Sequence, residues 1–476
     1  MRVSCSTASL KKPEVEFSPS ALARVLFQDL RLPQDVLLKV AYSGGVDSHS
    51  LLHALARLRA AGALRVEAVH IDHRLQPASG EWARHCLQVC AELEVVCHAV
   101  QLDVLSTDGV GLEAAARQAR YATLKMFVRP DDILVTAHQR DDQAETVLLH
   151  LLRGTGVRGL AGMPAIMDFG EGRLARPLLG FSRAAVHAYA LAEGLVWVED
   201  GSNDDTRFKR NRLRQQVMPM LEANWPGARV LLARNAGHMR ESAELLDEVA
   251  KEDLSRCTAV FGGGRAGSDA IPAKQRSRVL SVSALQTMTA SRRRNVLRYW
   301  IRTQGFHAPS TLHLDAIETQ ICHQSRSSHA CVRWPEAEVR RYRDALHVMP
   351  PLAAKIEPVD LSWDLAAPLP IPGTGYCLNP MVTVGGGLAH TRFGQKQVRV
   401  RLRRGGEECR LPGRDHHQKL KKLLQAYAIE PWLRERLPLV YVDDELAAVG
   451  DLWVCEPFAA RSGESGTTLV WEPCLE

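Results

Sequence analysis

Residues 43–48 read Ser43-Gly44-Gly45-Val46-Asp47-Ser48. Two glycines let a backbone approach a phosphate with no side chain in the way. A helix starting directly behind them would aim its free N–H groups and positive dipole end at that phosphate. The lysine of the common Gly-x4-Gly-Lys-Ser/Thr loop is absent, so nothing is supplied for a terminal phosphate. A Ser/Asp loop of this kind fits chemistry at an α-phosphate, with pyrophosphate leaving. The competing reading is a plain glycine turn between a strand and a helix. A second group is Asp141, Asp142 and Glu145 in Ala137-His138-Gln139-Arg140-Asp141-Asp142-Gln143-Ala144-Glu145-Thr146. Spacings of three and four put Glu145 on the same helix face as both aspartates. Acidic residues in a first turn also cap a helix, but three carboxylates beside a nucleotide loop can hold magnesium or a cationic substrate.

Other chemistry-bearing residues are read with two alternatives each. His70, Asp72 and His73 are either a polar strand end or a contact to adenosine or a metal; so short a spacing is poor for a closed zinc site. His138 is a helix-start hydrogen-bonder or a substrate contact. Arg117 and Arg120 are either solvated ion-pairing residues, Glu113 pairing with Arg117 at i,i+4, or offer guanidinium forks to a carboxylate or a phosphate. Arg207, Lys209, Arg210, Arg212 and Arg214 put five cations within eight residues, a solvated face or a phosphate-binding one. Val398-Arg399-Val400-Arg401-Leu402-Arg403 alternates strictly, so a strand there turns three arginines to one side. With Lys419, Lys421 and Lys422 it forms a second basic patch. Trp432 reads as core.

The elements that must position these groups follow from hydrophobic patterning. Strands are expected at Val36–Ala41, Val66–Ile71, Val95–Leu102 and Ile133–Ala137, alternating with helices near 48–60, 80–93, 112–127 and 141–152. This is an α/β, doubly wound parallel sheet, and both chemical groups lie at carboxyl ends of its strands, where such folds bind ligands. Residues 1–34 read as an N-terminal extension and 35–225 as the nucleotide-binding catalytic domain. Amphipathic patterns at 228–255 and 292–303 give a helical domain over 226–350, with Gly262-Gly263-Gly264 as a mobile loop. Proline-rich 351–375 reads as a linker, and 376–476 as a small α+β domain with a helix near 416–428.

The chain has 476 residues, room for two to four domains. No apolar run reaches the roughly 18 residues of a membrane span, and Met1-Arg2-Val3-Ser4-Cys5-Ser6 lacks a secretory apolar core. Eleven scattered cysteines with no Cys-x2-Cys pair fit reduced thiols in the cytoplasm. The formal net charge of +6 is modest; its clustering says more than its size.

The 43–48 loop resembles the PP-loop ATP pyrophosphatase signature. Together with His138-x3-Asp142-Gln143-x-Glu145-Thr146, the run Leu151–Leu160, Arg176-Pro177-Leu178-Leu179, Asp200-Gly201-Ser202-Asn203, Arg210-Asn211-Arg212-Leu213-Arg214 and Gly111–Tyr121, it resembles the tRNA(Ile)-lysidine synthetase family. Arg404-Gly405-Gly406, Leu420-Lys421-Lys422 and Pro431-Trp432-Leu433-Arg434 extend the likeness to the last hundred residues. Ala137 departs from a glycine common at that place. The resemblance implies ATP and Mg2+, free L-lysine, and a tRNA(Ile) with a CAU anticodon; helical and C-terminal domains would bind the tRNA. It implies adenylation of the wobble cytidine at O2, then attack of the lysine amine on C2. Ser43, Gly44, Gly45, Val46, Asp47, Ser48 and His70 would hold the nucleotide, with Asp47 on the metal. Asp47, Asp141, Asp142 and Glu145 would be catalytic. Arg117, His138, Arg207, Arg210, Arg212 and Arg214 would hold substrates. A homodimer is one option the residues leave open. Rival readings in the same fold are tRNA thiolation, disfavoured because no cysteine stands beside the motifs in sequence, and ammonia-using amide synthesis, disfavoured because no glutaminase segment is recognisable. A non-catalytic nucleotide-binding RNA chaperone would gain nothing from the acidic cluster.

Overall fold

A computed structural model describes residues 15–474 except 63, 73, 75–78, 103–111, 200, 202–205, 260–278, 324–329, 354–355 and 394–395. His73, Asp200, Ser202, Asn203 and the glycine stretch at 262–264 lie outside the described residues. The chain divides into two compact units, residues 1–245 and 246–476.

In the first unit, helix α1 (Pro19–Arg24) precedes β1 (Leu37–Ala41), α2 (Val46–Ala60), β2 (Arg65–Asp72), α3 (Ser79–Glu92), β3 (Val96–Gln101), α4 (Leu112–Met126), β4 (Ile133–Val135) and α5 (Arg140–Leu152). There follow α6 (Val157–Leu160), β5 (Ile166–Phe169), β6 (Gly172–Ala175), α7 (Arg183–Ala192), α8 (Lys209–Arg212), a π-helical turn Leu213–Val217, α9 (Met218–Asn224) and the long α10 (Ala228–Ala259), whose residues after 245 belong to the second unit. The sheet order is β3-β2-β1-β4-β6-β5. All neighbours are parallel except the β5–β6 pair. From β1 the chain builds outward through β2 and β3, then returns to place β4 on the other side of β1. The crevice at the carboxyl ends of β1 and β4 is therefore the switch point, where doubly wound sheets bind ligands. Leu38, Val40, Ile133 and Val135 are fully buried there. Lys39 sits in this central strand nearly buried, because its Nζ donates to Asp132 Oδ2 and to the Phe127 carbonyl, each at 2.7 Å.

Residues 15–34, expected as part of an extension, instead complete this unit's core. Phe17, Leu22, Leu26 and Leu32 are buried against the strands and α2, with Phe17 edge-on to Phe181 and Tyr189.

In the second unit the expected helical pattern at 292–303 is a helix, Ala290–Thr303, which buries Trp300. The stretch is not helical throughout. Strands β7 (Val279–Ser281), β8 (Cys331–Trp334), β9 (Ala337–Tyr342) and β10 (Ala345–Met349) form an antiparallel sheet in the order β7-β10-β9-β8 under that helix. The proline-rich 351–375 stretch is not a bare linker either: Asp360–Trp363 pairs with Val398–Leu402, and Leu369–Ile371 with Tyr376–Val384. Its prolines fall outside the first of these strands, and Pro370 lies in the second, which pairs on one side only. The remainder is antiparallel sheet with a short helix at Leu420–Ala426, an α+β arrangement. Reduced thiols throughout were also expected. Cys377 and Cys474 instead form a disulfide, brought together because Tyr376 pairs with Pro473 across two strands. No described helix is long and apolar enough to cross a membrane.

Candidate active site

The phosphate loop runs from β1 into α2. Gly44 has φ +84°, and a Cβ there would lie 2.9 Å from Cys86 Sγ, so only glycine fits. Gly45 caps α2 without any side-chain bond, leaving the first-turn N–H groups to the crevice. Ser48 closes the loop on itself. Its Oγ accepts from Ser43 N at 3.2 Å, donates to the Gly45 carbonyl at 3.0 Å and lies 3.1 Å from Ser43 Oγ. Val46 and Asp47 open the helix. His70 Nδ1, 3.0 Å from the Tyr42 carbonyl, must donate to it; burial pushes its pKa down, so the imidazole is neutral.

Helix α5 starts at the end of β4 and brings the acidic group to the same crevice. Gln139 Nε2 donates to both carboxylate oxygens of Asp47 at 3.1 Å, tying the loop to the acidic helix. Asp142 Oδ2 accepts from Gln139 N at 3.0 Å, which leaves Oδ1 to face outward. Glu145 is only 2% exposed.

The acidic and basic groups, read separately in the sequence, meet. Arg210 reaches Asp142 Oδ1 at 3.1 Å and Glu145 Oε2 at 3.0 Å. Arg214 reaches Asp142 Oδ1 at 3.0 Å and Glu145 Oε1 at 2.8 Å. Two further arginines were not singled out from the sequence. Arg183 Nη2 lies 3.4 Å from Asp142 Oδ1, and its backbone N–H donates to Asp141 Oδ2 at 3.0 Å. Arg229 Nε lies 3.2 Å from Asp141 Oδ1. Ser182 capping α7 and the Trp225-Pro226-Gly227 turn before α10 were the available signals, since each puts the next arginine in a first helical turn. Asp47 stands apart: among the described residues no cationic side chain pairs with it. Burial raises its pKa, opposed by the charge of Arg183 and reinforced by Asp142.

The other expected substrate residues lie around this core rather than in it. His138 Nδ1 is 2.8 Å from Thr136 Oγ1. Burial, then the charges of Arg176, Arg210, Arg117 and Arg120, push His138 down to about 3. Arg117 and Arg120 lie over the Tyr121 ring. Arg212 donates to the Thr206 carbonyl at 3.3 Å, and Arg207 is exposed. No group of three metal-type ligands occurs among the described residues. In space, though not in sequence, a cysteine does adjoin the loop. Cys86 packs on Gly44, but it is fully buried and its thiol is pushed up to about 12, which suits packing rather than sulfur transfer.

Comparison with known proteins agrees in order and extent. Residues 21–221 match a PP-loop domain, 280–347 a TilS substrate binding domain and 398–471 a TilS substrate C-terminal domain. The tRNA(Ile)-lysidine synthase of Alkalilimnicola ehrlichii is 41% identical over 452 residues, 95% of this chain and 97% of that one. That of Methylococcus capsulatus is 38% identical over 91% of this chain and 96% of its own. That of Coxiella burnetii is 37% identical over 91% and 93%. The chain belongs to the tRNA(Ile)-lysidine synthase family.

Proposed function

We propose that this chain is an ATP-dependent ligase that joins free L-lysine to C2 of the wobble cytidine in a tRNA(Ile) bearing a CAU anticodon. The product would pair with A instead of G. Cytidine O2 attacks the α-phosphorus of ATP and pyrophosphate leaves. The lysine Nζ then attacks C2, the C2–O2 bond breaks and AMP departs. Activation is required because an amide-like oxygen is a poor leaving group.

The observation that carries this reading is the bond between Gln139 and Asp47. It joins a loop suited to α-phosphate chemistry to a helix suited to a cationic substrate, in one switch-point crevice. Ser43, Gly44, Gly45, Val46 and Ser48 would cradle phosphate oxygens through N–H and hydroxyl groups. Neutral His70 would contact the nucleotide. Asp47 fits a magnesium ion: it is a hard oxygen ligand, partly buried and without a cationic partner among the described residues, and Mg2+ commonly takes one or two carboxylates plus substrate phosphates. When bound, the ion would neutralise charge on the pyrophosphate.

Asp141, Asp142 and Glu145 would receive the lysine ammonium and take its proton; free lysine has a pKa of about 10.4 and must lose a proton to attack. Arg210 and Arg214 now occupy that position. An incoming ammonium replaces them at the carboxylates, and polyanionic ATP and tRNA offer the guanidiniums phosphates instead. Arg117, Arg207 and Arg212, with His138 as a neutral donor or acceptor, complete the substrate rim. The second unit would bind the body of the tRNA, and the setting would be cytoplasmic. Incubation with ATP, labelled lysine and total tRNA, followed by mass analysis of nucleosides, tests the reading. A lysine-containing cytidine is expected. A sulfur- or ammonia-derived nucleoside formed with those donors instead would replace it.

A further inference from the structure

Phe208 and Trp225 are the most exposed phenylalanine and tryptophan side chains among the described residues, at 37% and 62%. They stand at the two ends of one continuous helical run, α8 through α9, whose Arg210 and Arg214 clasp the acidic cluster. Phe208 is the N-cap residue of α8, with Arg207 before it and Lys209 after it.

Trp225 is held on a fixed turn. Its N–H donates to the Leu221 carbonyl at 2.7 Å, and its own carbonyl accepts from Ala228 N at 3.0 Å. Gly227 turns the chain at φ +85°. The Glu222 carboxylate accepts from Gly227 N and Arg229 N, each at 2.9 Å. Four residues beyond the indole, Arg229 reaches Asp141. The backbone that carries the indole is thus fixed, four residues before an arginine that reaches the acidic cluster, and the ring is left in water.

A single exposed ring needs no partner by itself; here the two rings bracket the helical run whose Arg210 and Arg214 clasp the acidic cluster. The surroundings are cationic: Lys209, Arg212 and Arg234 are exposed on the same segments. Aromatic rings set among cations suit a single-stranded nucleic acid, with phosphates on the charges and bases on the rings. We propose that Phe208 and Trp225 are stacking platforms for two unpaired loop bases, one 5′ and one 3′ of the target cytidine. The helical rise over the 17 residues from one to the other sets the rings about 25 Å apart, so the two bases lie several nucleotides apart and the cytidine between them enters the crevice. This rests on the RNA substrate proposed above.

The test is binding of an RNA stem–loop carrying the CAU anticodon to the full chain, to Trp225→Ala, Trp225→Phe and Phe208→Ala. Each is repeated with RNAs abasic at one loop position. ATP binding and thermal unfolding report whether each variant is intact. Alanine at either site should weaken binding by roughly 5- to 100-fold with ATP binding unchanged, and Trp225→Phe should recover most of the loss. One abasic position should weaken wild-type binding equally and add nothing in Trp225→Ala; a different position should do so for Phe208→Ala. Unchanged affinity in the alanine variants overturns the proposal, as does equal weakening for every abasic RNA. A change in sedimentation with unchanged RNA affinity assigns the rings to a protein contact and overturns it too. Wild-type chain that fails to bind the stem–loop overturns both this proposal and the RNA substrate it rests on.

Discussion

Asp47, partly buried, and Glu145, buried, are carboxylates in one crevice, yet they differ in company. Glu145 is enclosed by guanidiniums, and among the described residues Asp47 has only an amide. Asp47→Asn keeps size and the Gln139 contact but removes the charge. It is expected to cut AMP release by about 100-fold or more, the scale of one lost electrostatic stabiliser, in a protein whose unfolding midpoint shows it folded. Wild-type AMP release would rule out the role. Glu145→Gln is expected to raise the KM for lysine more than that for ATP; the reverse split, from initial rates with each substrate varied, would assign the carboxylate to the nucleotide. His138 supplies a pH-dependent outcome. Its pKa in the folded chain, about 3, lies below the ordinary value of about 6.5. As pH falls the unfolded chain therefore takes up the proton first. This contribution to stability is full above about 6.5 and is lost as pH falls toward 3. His138→Asn should make the fall in unfolding free energy between pH 6 and pH 5 smaller by about 1 kcal/mol, measured by urea titration; an unchanged slope would show that the imidazole is protonated in the fold. The individual residue types in this crevice were legible in the sequence. Their mutual pairing was not, because Arg210 and Arg214 lie 65 and 69 residues beyond Glu145 and no local period connects them. Arg183 and Arg229 were missed for the same reason, each being an ordinary first-turn residue until α7 and α10 pack against α5.

Elements came through the sequence best where burial is two-sided. The continuous apolar runs that become β1 to β4, and the helices between them, end within a few residues of their expected bounds, since a parallel sheet covered on both faces leaves little choice of pattern. The strands β8 to β10 were hidden in a sequence rich in arginine. Arg333 and Arg340 are held at the fully buried Glu338, both at 2.6 Å, so charge occupies positions where an apolar pattern would have signalled a strand. Loop geometry was legible as well: Gly44 has both a positive φ and Cys86 against it. Gly44→Ala would bring a backbone cost of about 1–2 kcal/mol plus a displaced Cys86. It is expected to lower ATP affinity while Gly45→Ala, with an ordinary φ and only ordinary contacts, lowers it less. Equal affinities by calorimetry would show that the loop can rearrange.

At the scale of the whole molecule, the question is which of the basic surfaces meets RNA. Val398–Leu402 does alternate, with its apolar residues buried and Arg399 and Arg401 on the other face. Those arginines are not idle: both pair with Asp360, at 2.8 and 3.2 Å, and Arg403 with Glu407 at 3.6 Å. The pairing holds a strand from the proline-rich stretch onto the sheet, so these cations have a structural task that the sequence pattern could not show. Lys419, Lys421 and Lys422 differ. All three are exposed, two of them on the short helix Leu420–Ala426, whose Leu420, Leu423 and Leu424 are buried. That helix presents its lysines to solvent and its leucines to the core. A polyanion binding there would release one counterion for each phosphate neutralised, so the slope of log affinity against log salt counts the contacts. Replacing Lys419, Lys421 and Lys422 by Gln should flatten that slope by about 0.7–0.9 for each lysine that contacts phosphate. Arg399→Gln with Arg401→Gln should change the slope little but lower the unfolding midpoint, because Asp360 loses both partners. The measurement is affinity for full-length tRNA across a salt series, with thermal unfolding in parallel. A slope that falls for the arginine pair and not for the lysines would reverse the assignment, placing the RNA on the strand face and leaving the helix as a solvated surface.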